Sequence, residues 1–261
     1  MSRGHTWLHA LANASEQPGF PASVRVVDGD LAGRRARFIA VVPDASNPFP
    51  RARNGEVGVL EGWTLARAVD EAIEADTTRE KRALIAVVDV PSQAYGRREE
   101  ALGIHQALAG AVDSYARARL AGHPVIGLLV GKAMSGAFLA HGYQAQRLVA
   151  LEDAGVMVHA MGKAAAARIT LRSVEELESL AASVPPMAYD LDNYASLGLL
   201  WEKLSVQQIE SPTADDIARV RDCLAGAVAD IDNDTSLGNR LGAANRQASS
   251  TVRQRLRAQW A

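Results

Sequence analysis

The sequence predicts an α/β fold, with helices layered on a mostly parallel sheet. Two continuous apolar runs carry that expectation. ALIAVVDV (Ala83–Val90) and HPVIGLLVG (His123–Gly131) are short, rich in β-branched residues and bounded by charge, proline or glycine. Runs of this kind suit strands buried on both faces. The third observation is helical spacing around them. Leu65, Ala68, Val69, Ala72 and Ile73 recur every three to four residues in WTLARAVDEAIEA (Trp63–Ala75), and Leu102, Ala107, Leu108, Ala111, Val112 and Tyr115 do so further on. Strand, loop, helix, repeated, argues for an α/β layered domain with its working loops at the strand ends.

The remaining elements follow in order. Thr6–Asn13 has helix-like spacing of Trp7, Leu8 and Leu11. Val24, Val26 and Val27 form one β-rich run and Phe38–Val42 another, with Asp28–Gly33 supplying turn chemistry between them, so a β-hairpin is expected. The stretch 47–58 holds two prolines and two glycines and reads as loop, as does PSQAYGRREE. Glu99–Gly122 reads as one long helix, and RLVAL and GVMVH read as short strands. From Val174 onward the chain is expected to be mostly helical. Its Arg-rich last stretch suits a solvated face or a subunit contact.

Bulk properties narrow the function. The 261 residues are 48% hydrophobic and 22% charged with a net charge of −2, and that balance gives no concentrated basic face for nucleic acid. A single cysteine, Cys223, excludes an internal disulfide and a cysteine zinc cluster, and fits a reducing cytoplasm. Residues 1–20 lack a signal-peptide core, and no apolar run approaches the ~20 residues of a membrane span. A cytoplasmic protein without a membrane or nucleic-acid partner is expected. No H-x-x-H or H-E-x-x-H spacing suggests a metal.

The chemistry concentrates in VIGLLVGKAMSGAFLAHG (Val125–Gly142), where an apolar run meets small residues and then a helix start. Lys132 follows the first glycine, so a phosphate-binding G-x-x-x-x-G-K-[ST] loop is excluded. Ser135 in Ala133–Ala137 has the setting of a nucleophile elbow. Only His141 and His159 follow it, however, and no histidine follows Asp190 or Asp192, which disfavours a hydrolase triad. A second possibility uses the backbone: small residues let a ligand approach peptide N–H groups that stabilise an oxyanion or thioester enolate. Tight packing alone is the third.

Resemblances bear on this choice. GKAMSGAFLAHG followed by GVMVHAMG resembles ClpP-type serine peptidases, in which Ser135 and His159 would form a dyad. DVPSQAYGRREEALGIHQALAGA resembles the D-x-P-G-x-x-x-G-x-x-x-E segment of biotin-dependent carboxyltransferases, whose second turn reads G-E-G-G-S-G-G-A. The DGDLAGRRARFIAVVPD hairpin is similar to theirs. The two groups share the crotonase-like superfamily, so the resemblance implies a crotonase/ClpP-like ββα spiral with a helical C-terminal extension. It spans about Val24 to Leu200. It divides the chain into an N-terminal helix and loop (1–22), a carboxyltransferase-type domain (23–200) and the extension (201–261). Val90-Pro91-Ser92-Gln93 and Ala133-Met134 depart from the transferase glycines and make the turn less open.

VMVHAMGK and Pro185–Asp190 narrow the resemblance to the gamma subunit family of malonate decarboxylase. That family implies decarboxylation of a malonyl thioester, carried on an acyl carrier protein, to the acetyl thioester and carbon dioxide. It implies no cofactor bound directly, the carrier's phosphopantetheine-type arm as substrate carrier, and three partners: a beta subunit sharing the active site, the acyl carrier protein and an acyl-transferase subunit. The expected catalytic donors are the peptide N–H groups of Ser135, Gly136 and Ala137. Met134 would line the turn, and Pro91, Ser92, Gln93, Ala94 and Tyr95 would form the second wall. Lys132 would meet a carboxylate or phosphate, His159 would either line the substrate site or be a packed histidine, and His105 and Tyr95 would each donate a hydrogen bond. A serine peptidase using Ser135 and His159, or a silent scaffold subunit, remain the alternatives.

Overall fold

The computed structural model describes residues 2–260. Its strands are β1 (Val24–Leu31), β2 (Arg34–Val41), β3 (Ala83–Val90), β4 (Val125–Met134), β5 (Arg147–Leu151), β6 (Met157–His159) and β7 (Glu202–Leu204). Ten helices are described: α1 (Arg3–Ala12), α2 (Val59–Ala75), α3 (Arg97–Ala101), α4 (Ile104–Leu120), α5 (Ser135–Ala140), α6 (Lys163–Ile169), α7 (Val174–Ala181), α8 (Leu191–Ser196), α9 (Ala214–Ile231) and α10 (Gln247–Trp260). The sheet runs β1-β2-β3-β4-β5-β7, with β6 paired to the far end of β4. Among the described strands, only β1 and β2 pair antiparallel.

Strand residues alternate between two buried layers, because side chains along a strand point to opposite faces. Leu84, Ala86 and Val88 face the layer of α2, α4 and α8. Ala83, Ile85 and Val87 face the layer of α1 and α9, with Trp7, Leu8, Leu11, Val220 and Leu224. Trp7 donates its indole N–H to the Ile209 carbonyl at 2.9 Å, joining the N-terminal helix to the chain leading into α9.

The hairpin and the two main buried strands agree with the sequence reading, but several boundaries differ. The hairpin turn is only Ala32-Gly33, both at positive φ (51° and 81°), so Asp28–Leu31 is strand rather than turn. That backbone suits the right-handed twist of a two-residue hairpin. Helix α1 starts three residues before Thr6, capped by the Ser2 hydroxyl, which accepts from the His5 N–H. The long helix expected from Glu99 is broken at Leu102-Gly103, where Gly103 sits at φ 77°. Leu102 is consequently exposed. In the region expected to be helical, β7 extends the sheet beyond β5.

The largest difference lies at β4, which continues three residues past Gly131. Opposite Val88 and Val90 of β3 stand Leu129 and Ala133 of β4, so β4 carries extra residues there. This bulge separates the part of β4 that pairs with β5 from Lys132–Met134, which pair with β6. Gly131 is required at the bulge: a Cβ there would lie 2.1 Å from Asp89 Oδ1. The same carboxylate accepts the Lys132 N–H at 3.2 Å and the Gly4 N–H at 3.3 Å, fixing β4 and α1 to β3.

Candidate active site

Strand β4 passes into α5 with no intervening loop. Met134 is still extended, and Ser135, the first residue of α5, has φ 59°. A left-handed serine costs roughly 1–2 kcal/mol, which surrounding structure must offset. Strain of this kind gathers at functional sites. The kink brings Ser135 and Gly136 to the wall of a cavity of about 540 Å³.

Register sets the other wall. Met134 is paired with His159, so the end of β6 lies beside the start of α5 and His159 joins the same cavity. The His159 ring stacks on Tyr189, with centroids 3.8 Å apart and planes 13° apart. Its Nδ1 lies 2.9 Å from the Met161 carbonyl oxygen and 3.1 Å from the Met161 nitrogen. Burial holds its pKa below the ordinary imidazole value, against the Met161 contact. Among the described residues His159 shares no hydrogen bond with Ser135, so a formed serine–histidine dyad is not observed.

The turn's N–H groups are not all free. Gly136 donates its N–H to Gln93 Oε1 at 3.0 Å. This contact brings the Pro91–Tyr95 loop to the turn through a single side chain, but no residue of that loop lines the cavity. The loop is itself fastened: Val57 N–H donates to the Ser92 carbonyl at 3.1 Å, and Ala94 N–H donates to the Val57 carbonyl at 2.9 Å. Ala94 is buried, and the Ser92 hydroxyl turns to the Gln93 carbonyl at 3.0 Å.

The remaining expected site residues are dispersed. Ala137 and Met134 are buried, so Ala137 can offer a ligand only its peptide N–H. Lys132 is exposed, and its side chain pairs with no carboxylate among the described residues. Tyr95 is exposed and donates its hydroxyl to Glu100, which raises its pKa. His105 is exposed on α4. Sequence reasoning missed the apolar lining: Phe138, Leu139, Tyr143, Tyr194, Leu197 and Leu199. The available signal was Pro185–Asp190, since Pro185–Ala188 lines the same cavity.

Among the described residues, one group of side chains with the chemistry to hold a metal lies outside this cavity. His5 and His9, one turn apart on α1, and Glu16 each place a ligand atom within 4.8 Å of the others. The sequence reading passed over their H-x-x-x-H spacing. Glu16 is already committed, to His9 at 2.9 Å and to Arg25 at 2.7 Å.

The fold is shared with carboxyltransferase cores. A chain of transcarboxylase 12S superposes with a TM-score of 0.64 at 18% identity, over 85% of this chain and 40% of that one. The chain therefore has a carboxyltransferase-type fold. The sequence profile of the malonate decarboxylase gamma subunit (MdcE) matches residues 52–260. The chain belongs to the malonate decarboxylase gamma subunit family. A chain of a Pseudomonas malonate decarboxylase hetero-tetramer solved with coenzyme A is 72% identical, with full coverage of both chains and a TM-score of 0.97. A second Pseudomonas hetero-tetramer, solved with malonate, gives 69% identity, full coverage of both and a TM-score of 0.93. The malonyl-S-ACP:biotin-protein carboxyltransferase MADD of Malonomonas rubra is 33% identical over 187 residues, 70% of this chain. The chain spans 61% of that relative's length. Among the described residues, no helix is long and apolar enough to cross a membrane.

Proposed function

We propose that this chain forms one half of a shared active site that decarboxylates a malonyl thioester. The partner is a beta-type subunit, the substrate is carried on the phosphopantetheine-type arm of an acyl carrier protein, and an acyl-transferase subunit supplies the malonyl group. The observation that carries this reading is the β4–α5 kink. Ser135 is held at φ 59°, and Ser135 and Gly136 line a largely apolar cavity. Membership of the family and full-length similarity to chains of malonate decarboxylase hetero-tetramers support it.

In the reaction the bond between the α-carbon and the carboxylate breaks, and its electron pair passes into the α-carbon and thioester oxygen. Carbon dioxide leaves, and the α-carbon takes a proton. Donors at the Ser135–Ala137 turn hold the developing oxyanion, where fixed dipoles act without reorganising. The apolar walls from Phe138, Leu139 and Leu199 strip water from the departing carboxylate, which weakens the carboxylate's hold on its charge. Ser135 serves as backbone, and its hydroxyl takes no covalent part.

The test is co-expression with a beta-type partner, then carbon dioxide release from malonyl-coenzyme A and malonyl-carrier. Turnover is expected from the complex and not from the isolated chain. Ser135→Ala should keep most of that turnover, and a fluorophosphonate should leave Ser135 unlabelled. A complex that releases no carbon dioxide would sink the assignment. Labelled Ser135 together with an inert Ser135→Ala would replace it with serine acyl-transfer chemistry.

A further inference from the structure

The place where the first helix meets the β1 edge of the sheet carries the chemistry of a metal site. His5 and His9 stand four residues apart on α1, which puts both imidazoles on one face of the helix. Their ring centroids are 4.5 Å apart. Glu16 arrives from the segment that follows α1, which is fixed against β1 where the Gln17 N–H donates to the Val26 carbonyl at 2.7 Å. One ligand atom from each of the three residues lies within 4.8 Å of the others. We propose that His5, His9 and Glu16 bind a divalent transition metal, zinc above all, which clamps α1 to the edge of the sheet. None of the three lines the substrate cavity, and the site does not depend on the decarboxylation reading.

Three observations favour a metal over a chance grouping. First, His5 has a nitrogen to spare. His9, His123, His141 and His159 each place a ring nitrogen against a hydrogen-bond partner. The His5 ring has none among the described residues, and its Nδ1 is buried without one. Burial, then the charges of His9 and Arg25, holds the His5 pKa below the ordinary imidazole value, so the ring is in the neutral form that ligates. Second, Glu16 is oriented as a one-oxygen ligand. Its Oε2 accepts from Arg25 Nη1 at 2.7 Å, and its Oε1 lies 2.9 Å from His9 Nε2. A metal replaces the proton between those two atoms, and Arg25 becomes the outer partner that fixes the carboxylate. Third, ligands at ~2.0–2.1 Å from a tetrahedral zinc stand roughly 3.3 Å apart, so His9 and Glu16 are already in place and rotation of the His5 ring closes the set. A water molecule completes four-coordination. Two imidazole nitrogens select zinc and its neighbours over magnesium and calcium, which take oxygen ligands.

The test uses the full-length chain, purified without a histidine tag and stripped with a chelator. Zinc should bind one-to-one in calorimetry and raise the melting temperature by several degrees at about a hundredfold excess over its dissociation constant. Magnesium should do neither. Cobalt(II) should develop the visible d–d absorption of a four-coordinate nitrogen–oxygen site. His5→Ala is the decisive variant, because it removes a ligand whose ring has no hydrogen bond to lose. Its metal-free melting temperature should match the wild type, while zinc affinity falls at least about tenfold and the cobalt absorption disappears. Glu16→Gln keeps an acceptor for Arg25 and should weaken zinc binding to a similar degree. A wild-type chain with no zinc-dependent rise in melting temperature and no cobalt absorption would overturn the site. So would a His5→Ala chain that binds zinc as tightly as the wild type, since the metal would then be held by other groups.

Discussion

His141 follows the last residue of α5 and decides how firmly that short helix is held behind the turn. It is fully buried, with Nδ1 3.1 Å from the Tyr115 hydroxyl of α4 and Nε2 3.1 Å from the Val87 carbonyl of β3. The carbonyl requires a proton on Nε2, so Nδ1 accepts from Tyr115 and the ring is neutral. Burial pushes its pKa down from 6.5 to about 4, against the opposing effect of the Val87 carbonyl. Between those values the unfolded chain binds a proton that the folded chain refuses. The contribution of His141 to stability is therefore complete above pH 6.5 and is lost as pH falls toward 4, by up to ~3 kcal/mol. Urea denaturation across this range should show the loss. His141→Gln should be less stable at pH 7.5 but have a shallower slope below 6.5, and an unchanged slope would remove His141 as its origin.

At the scale of elements, the start of α2 governs the loop that reaches the site. Glu61, fully buried, accepts from the Ser23 hydroxyl and Asn47 Nδ2 at 2.7 Å each, and from the Gly58 N–H at 2.9 Å. These bonds start α2 at Val59, four residues before Trp63, where the helical stretch read from the sequence begins, and pin the 47–58 loop. Val57 in that loop then holds Ser92 and Ala94 on either side of Gln93. Glu61→Gln would turn an amide N–H₂ toward existing donors. Leaving such groups unsatisfied in the interior should cost ~2 kcal/mol in chemical denaturation. The Ala94 N–H should also exchange faster with solvent than it does in the wild-type chain; unaltered exchange would show that the loop is held some other way.

The same elements show what could be read in advance. Strand β3 has the bounds that its apolar run predicts, because burial on both faces leaves an unbroken signature. The start of α2 was hidden, since its cap lies in a glycine-rich stretch and its partners Ser23 and Asn47 are distant in sequence. Past Gly131 the small residues look like a turn, whereas the bulge against Asp89 makes them strand. Strand β7 is three partly exposed residues with no pattern to detect. Of the site, Ser135, Gly136 and His159 were legible from local spacing and do share a cavity. The bond between Gln93 and Gly136 joins residues 43 apart, and no local pattern encodes it.

Taken whole, the molecule buries one face of its sheet under its first helix and α9, while the other helical layer carries the cavity. Thr170 lines that cavity, and its neighbours Ile169 and Leu171 are 65% and 93% exposed, with Leu139 on α5 at 49%. Apolar side chains left in water beside a half-built site suit the face that a second subunit covers. Leu171 allows a clean separation of folding from assembly. It sits at φ 54°, a conformation that aspartate tolerates better than leucine, and it has almost no burial to lose. Leu171→Asp should therefore leave the melting temperature of the isolated chain nearly unchanged, within about 0.5 kcal/mol of stability. In the complex the same substitution would place a carboxylate in a desolvated apolar contact. Loss of a contact of this kind commonly costs 1–2 kcal/mol or more, so the dissociation constant for the beta-type partner should rise by at least about tenfold. Titration of the partner by calorimetry checks this. Equal affinities for the wild-type and Leu171→Asp chains would place the subunit interface away from the α6–α7 corner, leaving the cavity to be closed from its α5 side.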